Sequence, residues 1–412
     1  MENPGRVGLA AALFLTLTSL LPGHRAQAAG GPPDEANGPY RVLAPIESGN
    51  LLLFPVVRAG GKSPAETPFI TLDEGIRNGE VEVTEAGNVQ GLVRPRRPAG
   101  TPPYPDDGFR PVQPIDNYRG DQVNTLVLVN RSRRPLLLLA GEIVTGGKQD
   151  RVIAKDRIVP VDADPIDLSV FCIEPGRWTG SSAAFGAAGK APGLGFMVQP
   201  EVREKAMVAQ DQQQVWDSVH GAISQMAVAA APSVSQTVTV ESGQLIGTTS
   251  YAKAMQSSAV SEKVDEAAAP VIGARQQVLE KLREEHAVGV IAAVRGEIVW
   301  ADLFADTDLL SRYWTKLVRS YAAESLTEGP THAAPTVADA QRFLDVSSGG
   351  RETSEGEVGV YRYSELHSNA TETFVLESLL PGTGYEVHIS KMKLRDAERY
   401  ATRPHPVYPP QF

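Results

Sequence analysis

Cysteine is nearly absent from this chain. Its 412 residues include one, Cys172, so no internal disulfide forms and stability must come from core burial. Histidine is sparse as well. The seven present are scattered, with no HExxH pair and no Cys/His spacing that would hold zinc, so no metal site is expected. Positive charge is in deficit: the net charge is −10. Such a chain has no electrostatic footprint for nucleic acid and no attraction to anionic lipid. Phosphate and nucleophile motifs are missing too. There is no GxxxxGK[ST], no GxGxxG opening a helix after a strand, and "GSSAAFGAAG" lacks the GxSxG of a nucleophile elbow. No motif names a cofactor.

What is present begins with an address. Arg6 precedes an apolar run from Val7 to Leu21, and Ala26-Gln27-Ala28 follows as a small-x-small site. This pattern predicts a signal peptide over residues 1–28, with export to the periplasm or the extracellular space. The run is short for a membrane span, which needs about 20 residues, and no span is expected after cleavage. Residues 29–39 read as a flexible leader.

Further along, "GNLLLFPVV" (49–57) predicts a strand, and 69–85 a short helix followed by a strand. Residues 94–115 carry seven prolines. Proline lacks a backbone donor, so this segment cannot be an interior strand or helix. It reads as a long extended surface loop, with a protein-partner site as the alternative. Residues 121–161 predict successive strands broken at 130–135 and 145–147, and 165–178 adds another with an exit turn. The Gly- and Ala-rich 179–199 reads as a mobile loop. Helices are predicted from Pro200 to about Val219 and over 251–267, 271–286 and 306–324, with strand at 287–304. Leu309, Leu310, Tyr313, Trp314, Leu317, Val318 and Tyr321 share one face of the 306–324 helix, a core stripe. Residues 356–393 predict two or three short strands, which add to the sheet or form a short β-rich C-terminal appendage (346–412) with an extended tail. The expected fold class is α+β, a mostly antiparallel sheet with helices packed on one face.

The densest stretch is "LAGEIVTGGKQDRV". A two-residue turn at Gly146-Gly147 would set Glu142 opposite Arg151, explaining a carboxylate in an apolar strand as one half of an ion pair. Gln149, Arg151 and Lys148 would otherwise present donors to an anionic ligand. In "CIEPGRW", Cys172 and Glu174 share a strand face. Cys172 could be a nucleophile, but no local histidine activates it, and a buried free cysteine behaves as a small hydrophobe. Arg177 and Trp178 suit either a loop anchor or a ligand-stacking platform.

These two segments resemble a bacterial domain family named for its association with ADP-ribosylglycohydrolases and rhodanese-phosphatases. The matching residues are Gly141, Glu142, Gly146, Lys148, Gln149 and Arg151, then Cys172, Glu174, Gly176, Arg177 and Trp178. "VGVIAAVRGEIVWADLFAD" and "YWTKLVRSYA" are similar as well. The resemblance spans roughly 40–345, with 94–115 and 227–250 as insertions. It carries over no activity, but it implies that the motif residues belong together.

Three readings follow. The first is an exported protein binding a small anionic ligand, nucleotide- or ADP-ribose-like, through Lys148, Gln149, Arg151, Arg177 and Trp178. The second is a hydrolase using Glu142 or Glu174 as general base, with Cys172 as a weaker catalytic candidate. The third is a structural or interaction protein of the envelope, its contact surface the Pro-rich loop.

Overall fold

The computed structural model describes residues 38–60, 67–85, 109–111, 125–161, 163–176, 184–187, 195–231, 248–272, 275–345, 351–368 and 370–394. The predicted signal peptide, most of the Pro-rich loop, and Arg177 and Trp178 lie outside them.

The fold is α+β and mostly antiparallel, but among the described residues the strands form three sheets rather than one. The largest has ten strands. Its centre is the hairpin Ala287–Val294 and Glu297–Phe304, turning at Arg295 and Gly296. Both have positive φ, 52° and 81°, as a type I′ turn requires. Leu51–Arg58 flanks this hairpin on one side. Tyr385–Lys393 flanks it on the other, followed by Thr371–Ser378, Tyr361–His367 and Arg351–Glu357. The C-terminal strands are therefore four in number and continue the main sheet; the expected appendage is part of it. Phe109–Pro111, from the Pro-rich loop, pairs in parallel at the sheet's edge, the place in a sheet that tolerates proline.

The second sheet is a closed barrel of six strands: Arg151–Ile153, Ile166–Cys172, Thr125–Asn130, Val81–Glu85, Ala184–Ala187 and Ile143–Gly146. Its interior is apolar, filled by Val81, Val83, Leu126, Leu128, Val144, Ile153, Leu168, Val170 and Phe185. The strand Ala184–Ala187 closes it, within the segment read as a mobile loop. Arg157–Val159, Leu136–Leu138 and Ile70–Thr71 make the third sheet.

The helix Thr307–Ser325 starts at Asp306, whose carboxylate accepts from Leu309 N at 2.8 Å. Its predicted stripe is buried and packs on the main sheet and the helix Ser258–Ile272. The predicted helix from Pro200 is broken. Pro200–Glu204 is α-helical, Lys205–Ala209 is a π turn, and Gln210 at φ 48° ends the run. Asp211 then caps Gln212–Ala230. One short helix, Val337–Asp345, went unforeseen; its Ala340 packs against Phe54 and Ile291, away from the main helical layer. No helix among the described residues is long and apolar enough to cross a membrane.

Candidate functional site

The motif hairpin is wider than a two-residue turn. Arg151 pairs with Val144 and Val152 with Ile143, leaving residues 145–150 between the last paired residues. Gly146 stays in its strand by pairing with Phe185, which draws the turn open. Glu142 therefore does not face Arg151, and the expected pair is absent.

The register instead builds a polar layer at one end of the barrel. Strand alternation turns Ile153 into the barrel core, and Arg151 with it. In the same way Val83 brings Glu85 inward, and Val170 brings Cys172. Arg151 and Cys172 are direct cross-strand partners. An apolar barrel thus ends in a guanidinium, a carboxylate and a thiol, all under 4% exposed. Arg151 Nη1 donates to the carbonyl of Gln149 at 2.6 Å. The Cys172 thiol donates to Gln149 Oε1, and Gln149 Nε2 donates to the carbonyl of Glu174 at 3.0 Å. Gln212 brackets Cys172 from outside, bonding its N–H and its carbonyl at 2.9 Å each. Burial pushes the thiol up to about 11. A buried thiol held so high stays protonated near neutral pH.

Three carboxylates fix the turn. Lys148 N donates to Glu85 Oε1 at 3.1 Å, Gly146 N to Asp150 Oδ1 at 3.2 Å, and Asp150 N to Glu174 Oε2 at 3.2 Å. Three of the backbone donors that an anion-cradling turn would offer are thus spent on the protein's own anions. Gly147, at φ 49°, lies on Glu85 and Phe185 so closely that a Cβ would sit 2.2 Å from the Phe185 ring. The segment 248–253 clamps the far side. Ser250 Oγ donates to Asp150 Oδ2 at 2.7 Å, and Thr249 Oγ1 to the carbonyl of Pro175 at 2.8 Å. Lys253 Nζ lies 3.0 Å from Glu174 Oε1, and its side chain is 56% exposed.

Of the predicted ligand donors, then, Gln149 and Arg151 are buried and engaged within the protein. Lys148 remains near the surface. Glu85, Ser250 and Lys253 belong to the cluster but were missed. Glu85 and Lys253 come from separate segments, and only the three-dimensional register brings them to the motif.

Glu142 belongs to a different cluster. Lys316 Nζ, from the 307–325 helix, reaches Glu142 Oε1 at 2.5 Å and Asp73 Oδ2 at 2.7 Å. Leu139 N donates to Glu142 Oε2 at 2.8 Å. Burial raises the carboxyl's pKa while Lys316 opposes the rise. Buried and bound in this way, Glu142 ties the barrel side to the helix.

A third polar cluster had no sequence signal. Arg203 makes two bonds of 2.9 Å to Asp302. His388 joins Asp302 at 3.1 Å and Asp156 at 2.6 Å. Tyr321 and Ser390 also donate to Asp302, and all the ionisable groups here are buried. Gly141, of the motif, lets Arg203 pass: a Cβ would stand 2.9 Å from its Cδ.

A cavity of about 340 Å³ lined by Glu297, His332, Phe343 and Lys393 touches neither the 141–151 nor the 172–178 segment. Among the described residues no group of three or more His, Cys, Asp or Glu is placed to hold a metal.

No match was found among curated proteins or among solved structures. The family model described as "ARG and Rhodanese-Phosphatase-superfamily-associated Protein domain" matches residues 39–392, reaching past the motif segments to the last strand of the main sheet. With its two motifs gathered at one barrel end and its C-terminal strands built into the matched region, the chain belongs to the ARG and Rhodanese-Phosphatase-superfamily-associated Protein domain family.

Proposed function

We propose that this is an exported binding protein. Its site is the rim of the barrel's polar end, and its ligand is a small anion, nucleotide- or ADP-ribose-like. One observation carries the reading: the buried motif residues fix a single short turn and the strand exit beside it. Lys148 on the turn and Lys253 over Glu174 are thereby placed at one rim, with Arg177 and Trp178 next in sequence after Gly176. In this reading Gln149, Arg151 and Cys172 position the rim and do not touch the ligand. Two cations at one rim attract an anion.

The test is a thermal-shift screen of residues 29–412 against ADP-ribose, nucleotides and sugar phosphates. A ligand at 100 times its Kd adds about 2.7 kcal/mol of stability. That shift should vanish in Lys148→Ala/Lys253→Ala while the unliganded melting temperature stays put. A shift that survives in the double variant sinks the rim reading. Export is tested in the same preparation: N-terminal sequencing of protein secreted from the full-length chain should begin at Ala29.

A hydrolase is the second reading, now resting on Glu174 alone. Its carboxylate both anchors the turn and meets the exposed Lys253. Ligand turnover that persists in Glu174→Gln would remove it.

A further inference from the structure

The cavity beside Glu297 and Lys393 lies where the Arg295-Gly296 turn, the segment 326–336 and the helix Val337–Asp345 meet the end of the last strand. Its volume, about 340 Å³, falls in the range of small-molecule sites, roughly 300–1,000 Å³. Bonds outside the cavity hold its frame. His332 N donates to the carbonyl of Arg295 at 2.8 Å, and Gly296 packs so closely on His332 that a Cβ would stand 2.3 Å from its carbonyl oxygen. Thr336 N donates to Asp339 Oδ2 at 2.8 Å and Asp339 N to Thr336 Oγ1 at 3.2 Å, which caps the helix. Gln341 joins that helix to the edge strand, bonding Val42 N at 2.8 Å and the Tyr40 carbonyl at 3.0 Å.

Wall and rim differ in chemistry. Ile298, Pro335 and the Phe343 ring supply an apolar wall. At the rim, Lys393 and Glu297 form an ion pair, with side chains 51% and 44% exposed, so a solute reaches both. The other charges on the framing elements do not line the cavity. Lys391 lies over Phe343, donates to the Leu344 carbonyl at 3.3 Å and is attracted by Asp345. Arg342 pairs with Asp339, Arg295 turns to the carbonyls of Glu324 and Thr327, and Glu328 is exposed. A simple anion or a simple cation therefore meets one attractive and one repulsive charge at the rim. A solute with an ammonium and a carboxylate on one carbon meets two attractive ones.

We infer that this cavity is a second binding site, independent of the barrel rim, and that its ligand is a free α-amino acid with an apolar side chain. Lys393 takes the carboxylate, Glu297 takes the ammonium, and the side chain lies on Phe343, Ile298 and Pro335. The ligand inserts into the ion pair, which an exposed pair permits because it adds little to stability.

The experiment is calorimetric titration of the full mature chain with L-phenylalanine, phenethylamine (no carboxylate), 3-phenylpropionate (no ammonium) and glycine (no ring). The expected result is phenylalanine binding at least about tenfold tighter than each of the others. In Lys393→Met its preference over phenethylamine should shrink to roughly threefold or less, and in Glu297→Gln its preference over 3-phenylpropionate should do the same. Both positions are half-exposed, so melting of the unliganded variants should match the wild type. The Lys148→Ala/Lys253→Ala protein should bind phenylalanine as the wild type does, which keeps this site separate from the rim. Absence of phenylalanine binding, or equal binding of any one analogue, would overturn the assignment without any variant. So would preferences that survive in Lys393→Met and Glu297→Gln, or binding lost in the rim double variant.

Discussion

Glu142 shows how one residue can be anticipated in kind and misplaced in partner. A carboxylate in an apolar strand demands a cation, and the demand is met, but by Lys316, some 170 positions away in the chain, rather than by Arg151 across the turn. The arrangement makes a sharp prediction. Lys316→Met removes the charge and keeps the bulk, leaving Glu142 and Asp73 facing each other without a cation. Breaking a buried pair from one side costs about 3–5 kcal/mol, so urea unfolding should show a loss of that size. Adding Glu142→Gln to Lys316→Met should recover part of it, since a neutral amide can still accept from Leu139 N. A Lys316→Met protein as stable as the wild type would mean that the ion pair contributes little. Cys172 teaches the complementary lesson: its reading as a small buried hydrophobe needed only the absence of a nearby histidine, and the structure places it 0% exposed with its thiol turned to Gln149.

At the scale of elements, what was legible in the sequence was whatever local chemistry dictates. The Thr307–Ser325 helix follows from its apolar spacing and Asp306 cap, the 295–296 turn from Arg-Gly, and the strands at 51–58 and 287–304 from their β-rich apolar runs. Elements decided by distant partners were not legible. Ala184–Ala187 is "AFGA", with no strand signature; it is a strand because it fills the gap between Val81–Glu85 and Ile143–Gly146. The same pairing holds Gly146 in line and widens the motif turn, so one unforeseen strand accounts for the wrong register of the candidate site. The site's motif residues were legible, yet their roles as inward anchors were not, because facing depends on that register. Phe185 is the part of this strand that fills the barrel core and supports Gly147. Phe185→Ala should cost about 3–5 kcal/mol, and amide exchange should show residues 145–150 losing protection beyond the global loss. Uniform loss across the chain would make Phe185 ordinary core and detach the turn from barrel closure.

For the whole molecule, the main question is what joins the ten-stranded sheet to the barrel side. The buried cluster around Asp302 does so: Asp302 and His388 stand on sheet strands, Arg203 on the helix after the bridge at Met197, and Asp156 between the barrel and the small sheet, where it also accepts from Ala140 N at 2.7 Å. Burial works against charge on His388, but Asp156 and Asp302 outweigh it and lift the imidazole to about 9. Burial likewise pushes Asp302 up, and Arg203 and His388 more than reverse this, holding it well below the carboxylate range. A histidine whose pKa rises from about 6.5 on folding contributes stability that is complete below 6.5 and is lost as pH climbs through 9. The contribution is on the order of 3 kcal/mol. Lys391 runs the other way: burial lowers it to about 8, so it adds stability as pH rises from 8 toward its ordinary value. A single pH curve therefore mixes the two, and the informative quantity is the difference between wild type and His388→Asn. That difference should be largest at pH 6 to 7 and shrink steadily toward pH 10, as measured by denaturant unfolding across the range. A constant difference would mean that His388 is neutral when folded and joins the two halves by hydrogen bonds alone. The charge of one imidazole would then have no part in holding sheet and barrel together, and the pairing of Arg203 with Asp302 would have to carry that junction.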